Sequence, residues 1–209
     1  MSFSLASLPH SRTVFFQSPR QARLAEEARN LLQRGRDFIR SHGHLTEMPA
    51  DPLMVQLAAA AGYTTEEAVV LRAKFRNDFL NFVCVPTRVW HREDERLGLL
   101  QLRREAADYG LRCIVVPQRW LRAEIRAATA RMISRSLAVG ISFGDRETVL
   151  RHVGETGFSV LGTCCRLVAH LHDPVGSVLS LVGHGFVTVD RTRPLGERTL
   201  VRLRISDPQ

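Results

Sequence analysis

Lysine is almost missing: Lys74 is the only one in 209 residues, against a Lys+Arg total of 29. Any mechanism that needs an ammonium group must use that one residue. Cysteine is scarce as well. Cys84, Cys113, Cys164 and Cys165 show no C-x-x-C spacing and two of them are adjacent, which argues against a disulfide framework or zinc ribbon and for buried, reduced thiols. No apolar run is long enough to cross a bilayer, and the first residues lack the charged start and apolar centre of a signal peptide, so a soluble, cytoplasmic protein is expected. Neither a glycine-rich phosphate loop nor a Ser-His-Asp spacing is present, and no cofactor is expected. His42 and His44, like His170 and His172, stand two apart, which on one helix points them away from each other. Even with Cys165 near the second pair, core packing is expected there rather than a metal.

What the chain does have is positive charge. The formal net charge is +8, nearly all of it from arginine, and the sequence pI is near 10.5. A basic protein gains affinity for nucleic acid by releasing counterions, so a polyanion is the favoured partner, with an anionic membrane surface as the competitor. The length and a 44% hydrophobic content suit two modules with real cores.

The expected class is α+β: a helical N-terminal region, a small α/β segment and a C-terminal winged helix-turn-helix. Residues 1–139 form the first region and 145–205 the second. Ser18 and Pro19 signal a helix start, with Leu24, Ala28, Leu31, Leu32, Phe38 and Ile39 as its apolar stripe and Gly43 as its stop. Asp51 and Pro52 open a short helix that runs to Gly62. Thr64 and Glu67 form a capping box for a third, whose Ala68, Leu71, Phe75, Phe79 and Phe82 share one face. Leu57 to Phe75 thereby has the layout of a helix-turn-helix, although ordinary helical hairpins share it.

Strands are expected at Phe82–Val85 and Arg88–Trp90, then a helix from Glu93 to Tyr109 with Leu97, Leu100 and Ala107 inward. A buried strand, Cys113 to Val116, ends at Pro117. The next helix turns Leu121, Ile125, Ala128 and Met132 inward. It carries Arg119, Arg122 and Arg126 on one edge of that stripe and Arg131 and Arg135 on the other. These arginines either cover the core with their stems or contact phosphates.

After a linker at Gly140–Gly144, the pattern reads helix (Glu147–Val153), strand (Phe158–Val160), helix (Leu161 onward), a third helix opened by Asp173 and Pro174, and a hairpin over Phe186–Ile205. In a DNA-binding winged helix the third helix presents Ser177, Ser180 and His184 to a groove, and Arg191, Arg193 and Arg198 on the wing contact phosphates. No arginine, asparagine or glutamine lies on that helix. The strong bidentate contacts to guanine or adenine are therefore lacking, so either sequence discrimination is weak or the winged helix serves mainly for protein contact.

The segments LQLRREAADYGLRCIVVPQRWLRAEI and DPVGSVLSLVGHGFVTVDRTRPLGERTLVRL resemble the latter half of TnsA-type transposon endonuclease subunits, over about Leu100 to Leu203. That resemblance implies a PD-(D/E)XK nuclease domain joined to a winged helix, acting with a partner transposase at transposon ends. The chain departs from the pattern where catalysis sits. Lys74 follows Leu71, Arg72 and Ala73, so the E-x-K element that helps hold Mg2+ and activate water is absent. Asp78, Asp94 and Arg96 are the nearest substitute, and arginine cannot accept a proton in lysine's place. A non-catalytic relative of these subunits, belonging to a mobile genetic element and binding duplex DNA, a protein partner or a second copy of itself, is the first expectation. A winged-helix transcription regulator and a protein-interaction adaptor are the alternatives.

Overall fold

Local caps set the first elements. Ser18 Oγ accepts from the Gln21 amide at 3.3 Å and Gln21 Oε1 accepts from the Ser18 amide at 3.2 Å, so helix α1 (Pro19–Ser41) begins with a closed capping box. Asp51 caps α2 (Pro52–Ala60) by accepting from the Leu53 amide at 3.0 Å. These contacts belong to a computed structural model that describes residues 18–204. Its class is mixed α+β, with nine helices and two small sheets among the described residues.

The largest departure from expectation follows α2. Residues 64–82 do not form a helix. They give β2 (Val69–Phe75) and most of β3 (Asp78–Val85), which join β1 (Leu45–Met48) in an antiparallel set. Thr64 still bonds Glu67 through its amide and hydroxyl, but the turn goes no further. Val69, Leu71 and Ala73 are buried with partly covered residues between them, the period-two pattern of a strand. Arg76, at φ 55, and Asn77 close the hairpin. The helix-turn-helix read over Leu57–Phe75 is thereby excluded, since its second helix is a strand.

Arg88–Trp90 is also not a strand. After Pro86 the chain turns into a short helix, α3 (Thr87–His91), and then into α4 (Glu93–Asp108). Leu99, Leu102 and Ala106 form the buried face of α4, whereas Leu97 and Leu100, expected inside, are 55% and 43% exposed. This crossover lays β4 (Arg112–Pro117) parallel to β3 on the outer edge of the sheet, whose order is β1-β2-β3-β4. As an outermost strand, β4 leaves Ile114 exposed. α1 covers one face of the sheet, packing Leu31 and Ile39 on Leu71, Phe82 and Cys84. α2 and α4 cover the other, around Val83, Val85 and Leu102.

The helix expected after Pro117 is two helices, α5 (Gln118–Arg122) and α6 (Glu124–Ser136), broken at Ala123 with φ −51 and ψ 109. On α6 it is Thr129, Ala130 and Ile133 that are buried, while Met132 is exposed. Beyond it come α7 (Phe143–Thr156), β5 (Ser159–Val160), α8 (Leu161–Leu167), α9 (Pro174–Gly183), β6 (Val187–Val189) and β7 (Leu200–Leu203). The three strands pair antiparallel in the order β5-β7-β6. Ile133 of α6 packs into the same core as Val149, Cys164, Leu179 and Val201, so α6 serves both halves of the chain.

Candidate nucleic-acid interface

Pro117 ends β4, and the residue after it is anchored. Gln118 is buried, and its Oε1 accepts from the Thr87 amide at 3.1 Å and the Thr87 hydroxyl at 3.4 Å, tying α5 to the start of α3. That anchor directs Arg119, Trp120 and Arg122 outward from α5. The break at Ala123 then brings Arg126 and Arg131 of α6 beside Arg34 of α1, and Arg34, Trp120, Arg126 and Arg131 line one shallow concavity.

Trp120 is 39% exposed. It meets Phe38 edge-on at 4.9 Å between ring centres, and the Arg126 guanidinium lies over the indole at 4.6 Å. Arg119 lies 6.0 Å from the Trp90 ring. Partial burial lowers the pKa of Arg34, and the guanidiniums of Arg122 and Arg131 lower it further. Arg34, Arg119 and Arg126 have no ion pair with any described carboxylate, and Arg131 bonds only its own helix, at the Ala127 carbonyl, 3.4 Å away. Among the described residues one carboxylate, the buried Asp37, also lines the concavity, where Gln33 Nε2 donates to it at 3.0 Å. The guanidiniums outnumber it, and such an excess of like charge makes a surface that an anion stabilises.

A second cluster sits at the carboxyl ends of β3 and β4, where the crevice of an open sheet with parallel strands usually receives its ligand. Arg88 Nε is 3.4 Å from Glu27 and its Nη1 is 3.6 Å from Glu67, and Arg122 reaches Glu27 at 3.9 Å. Both carboxylates are thus already matched by guanidinium. The sequence reading missed this cluster and missed Arg34 and Trp120. One signal could have pointed to it: Val85-Pro86-Thr87-Arg88 and Val116-Pro117-Gln118-Arg119 repeat the same Val-Pro-polar-Arg order at the ends of neighbouring strands.

The residues singled out for nuclease chemistry are not brought together. Asp78, at the first position of β3, pairs with Arg112 at 2.8 Å. Asp94 lies in the first turn of α4, beyond the other end of that strand, so roughly 20 Å of extended backbone separates them at about 3.3 Å per residue. Arg96 faces Glu93 at 3.9 Å. Among the described residues no three His, Cys, Asp or Glu side chains gather as a metal-ion site.

The third helix of the C-terminal half corrects the expectation most sharply. Ser177 and Ser180, expected to face a groove, are 1% and 0% exposed. Ser180 Oγ donates to the Ser177 carbonyl at 2.7 Å, and Ser177 Oγ reaches the Gly140 carbonyl at 3.4 Å. The lack of a side chain at Gly183 lets the end of α6 approach: a Cβ there would lie 2.6 Å from Leu137 Cδ2 and 3.3 Å from Ile133 Cγ2. All of Gly176 to Gly183 is buried. His184, at the C-cap, is exposed, as are Arg193 and Arg198 on the β6–β7 loop.

Arg191, expected to contact phosphate, turns inward instead. Its guanidinium donates to the carbonyl of Ser41 at the end of α1, to Ser41 Oγ at 3.1 Å and to the His42 ring at 3.2 Å. A cation at a helix C-terminus is favourable, and here it joins the two halves of the chain. Burial first, and the Arg191 charge second, push the pKa of His42 down to about 4.

A histidine with a folded pKa below its unfolded one stabilises the protein only while neutral. The contribution is complete above about pH 6.5 and is lost as the pH falls from there toward 4. The melting temperature of the wild type should therefore fall more steeply than that of His42→Gln between pH 7 and 4.5, as thermal denaturation followed by circular dichroism would show. Parallel curves would contradict it.

The chain matches no known protein family and no curated protein. Its function must be argued from its own surfaces.

Proposed function

We propose that the protein is a DNA-associated chain that binds without cutting, similar in layout to the TnsA-type endonuclease subunits. The observation that carries this reading is the excess of arginine on α1, α5 and α6: Arg34, Arg119, Arg126 and Arg131, with Arg122 at the edge, against the single buried carboxylate of Asp37 among the described residues of the concavity. A phosphate backbone supplies the missing counter-charge. The order α7, β5, α8, α9 and a closing hairpin in one three-stranded sheet supports a winged helix as the second module. Exposed Arg193 and Arg198 at the hairpin turn are its phosphate contacts. With α9 buried, base reading in the major groove is not its task, and binding is expected to be weakly sequence-selective.

Support for the non-cutting reading comes from Arg88, whose guanidinium bridges Glu27 and Glu67 at the sheet position where ligands usually enter. The test is binding of the purified protein to a 20-base-pair duplex across a salt series. Tight binding at 50 mM salt, falling steeply by 200 mM, is expected.

The adaptor reading has one observation of its own. Met132, Leu161, Cys165, Val175 and Leu195 line an apolar groove of about 530 Å³ beside α8 and α9. If duplex and single-stranded DNA are both ignored at low salt, that reading takes precedence.

A further inference from the structure

We infer that the arginine surface takes single-stranded DNA, stacking one unpaired base on Trp120. The inference rests on the proposed nucleic-acid role of that surface and specifies which form of the ligand it holds. Trp120 is the exposed aromatic of the concavity, which Arg34, Asp37 and Arg131 also line, and the Arg126 guanidinium lies over its ring. A ring in that position adds little to duplex binding, because base faces within a duplex are already covered by their neighbours. An unpaired base leaves its face open, and stacking on an aromatic side chain is the usual sequence-tolerant way to hold it.

The surroundings fix the ring for this purpose. Phe38 meets Trp120 edge-on at 4.9 Å and holds the indole from one side. Gln118 anchors the start of its helix through Thr87. The Arg126 guanidinium, 4.6 Å above the ring, is the end of a flexible side chain that an incoming base displaces toward the adjoining phosphate. Arg122 and Arg131 lie close enough to Arg34 for their charges to add to the effect of its partial burial in lowering its pKa, and a strand passing over the ring neutralises them in turn.

The experiment compares binding of fluorescein-labelled dT20 and a 20-base-pair duplex to wild type, Trp120→Ala and Trp120→Phe at 50 mM salt, with thermal melts to confirm that each variant is folded. Trp120→Ala is expected to weaken dT20 binding by about tenfold and duplex binding by less than twofold. Trp120→Phe should stay within about threefold of wild type on both. The tryptophan emission of the wild type should be quenched by dT20 and not by polyglutamate of matched charge, and Trp120→Phe should lose that quench.

Equal losses on both DNA probes, no loss on either, or an equal quench by polyglutamate would overturn the stacking assignment. Failure of the wild type to bind either DNA would instead remove the underlying nucleic-acid reading.

Discussion

Replacing Arg34, Arg126 and Arg131 together by glutamine is expected to weaken duplex binding at 50 mM salt by two to three orders of magnitude and to flatten its salt dependence. Each phosphate neutralised contributes about −0.9 to the slope of log affinity against log salt, so three lost contacts should reduce the slope by about 2.7. The chain's total charge cannot explain such a change, because it would still be positive. Position is what matters: these three guanidiniums share one concavity with a single described carboxylate, Asp37, which accepts from Gln33. Arg193→Gln with Arg198→Gln, by the same arithmetic, should move the slope by less than two. The measurement is fluorescence anisotropy across a salt series. A triple variant with an unchanged slope would remove this surface from the contact.

The largest loss of stability is expected from one added methyl group, in Gly43→Ala. A Cβ at Gly43 would sit 2.1 Å from the Gly185 amide nitrogen, 2.3 Å from Gly185 Cα and 2.8 Å from the Gly183 carbonyl. All three are backbone atoms, so no side chain can swing aside. Gly185 itself has φ +78, a conformation that leaves the turn little freedom to move. The crossing of the α1 end over the α9 end must open, at a cost of about 3 kcal/mol. For a chain of this size that lowers the melting temperature by roughly 6–12 °C. Gly196→Ala, where nothing lies within 4 Å, should stay within about 0.5 kcal/mol of wild type. A calorimetric scan decides the point, and matching curves for the two variants would show that the seam yields.

Elements defined by local chemistry were legible in the sequence. The starts of α1, α2 and α9 follow from a capping oxygen and a following proline, interactions that span three residues. The β2–β3 hairpin was not. Ala68, Leu71, Phe75, Phe79 and Phe82 satisfy a helical period, Val69, Leu71 and Ala73 satisfy a strand period, and only pairing with β1 and β4 chooses between them. The same limit applied to function. Arg119, Arg122 and Arg126 lie within eight positions of each other and could be grouped from sequence, whereas Arg34 joins them only because α1 packs beside α6. Ser177 and Ser180 misled for a different reason. Small polar residues suit both a groove-facing helix and a close helix crossing, and the sequence does not say which neighbour arrives.

The inward turn of Arg191 separates two effects that alanine scanning of basic residues would otherwise merge. Truncating it should reduce DNA retention because the protein unfolds sooner, leaving the ionic-strength response of the folded fraction as it was. Truncating Arg193, two residues on, should do the reverse. The pair thus offers an internal control for whether an arginine in this chain holds the protein together or holds its partner.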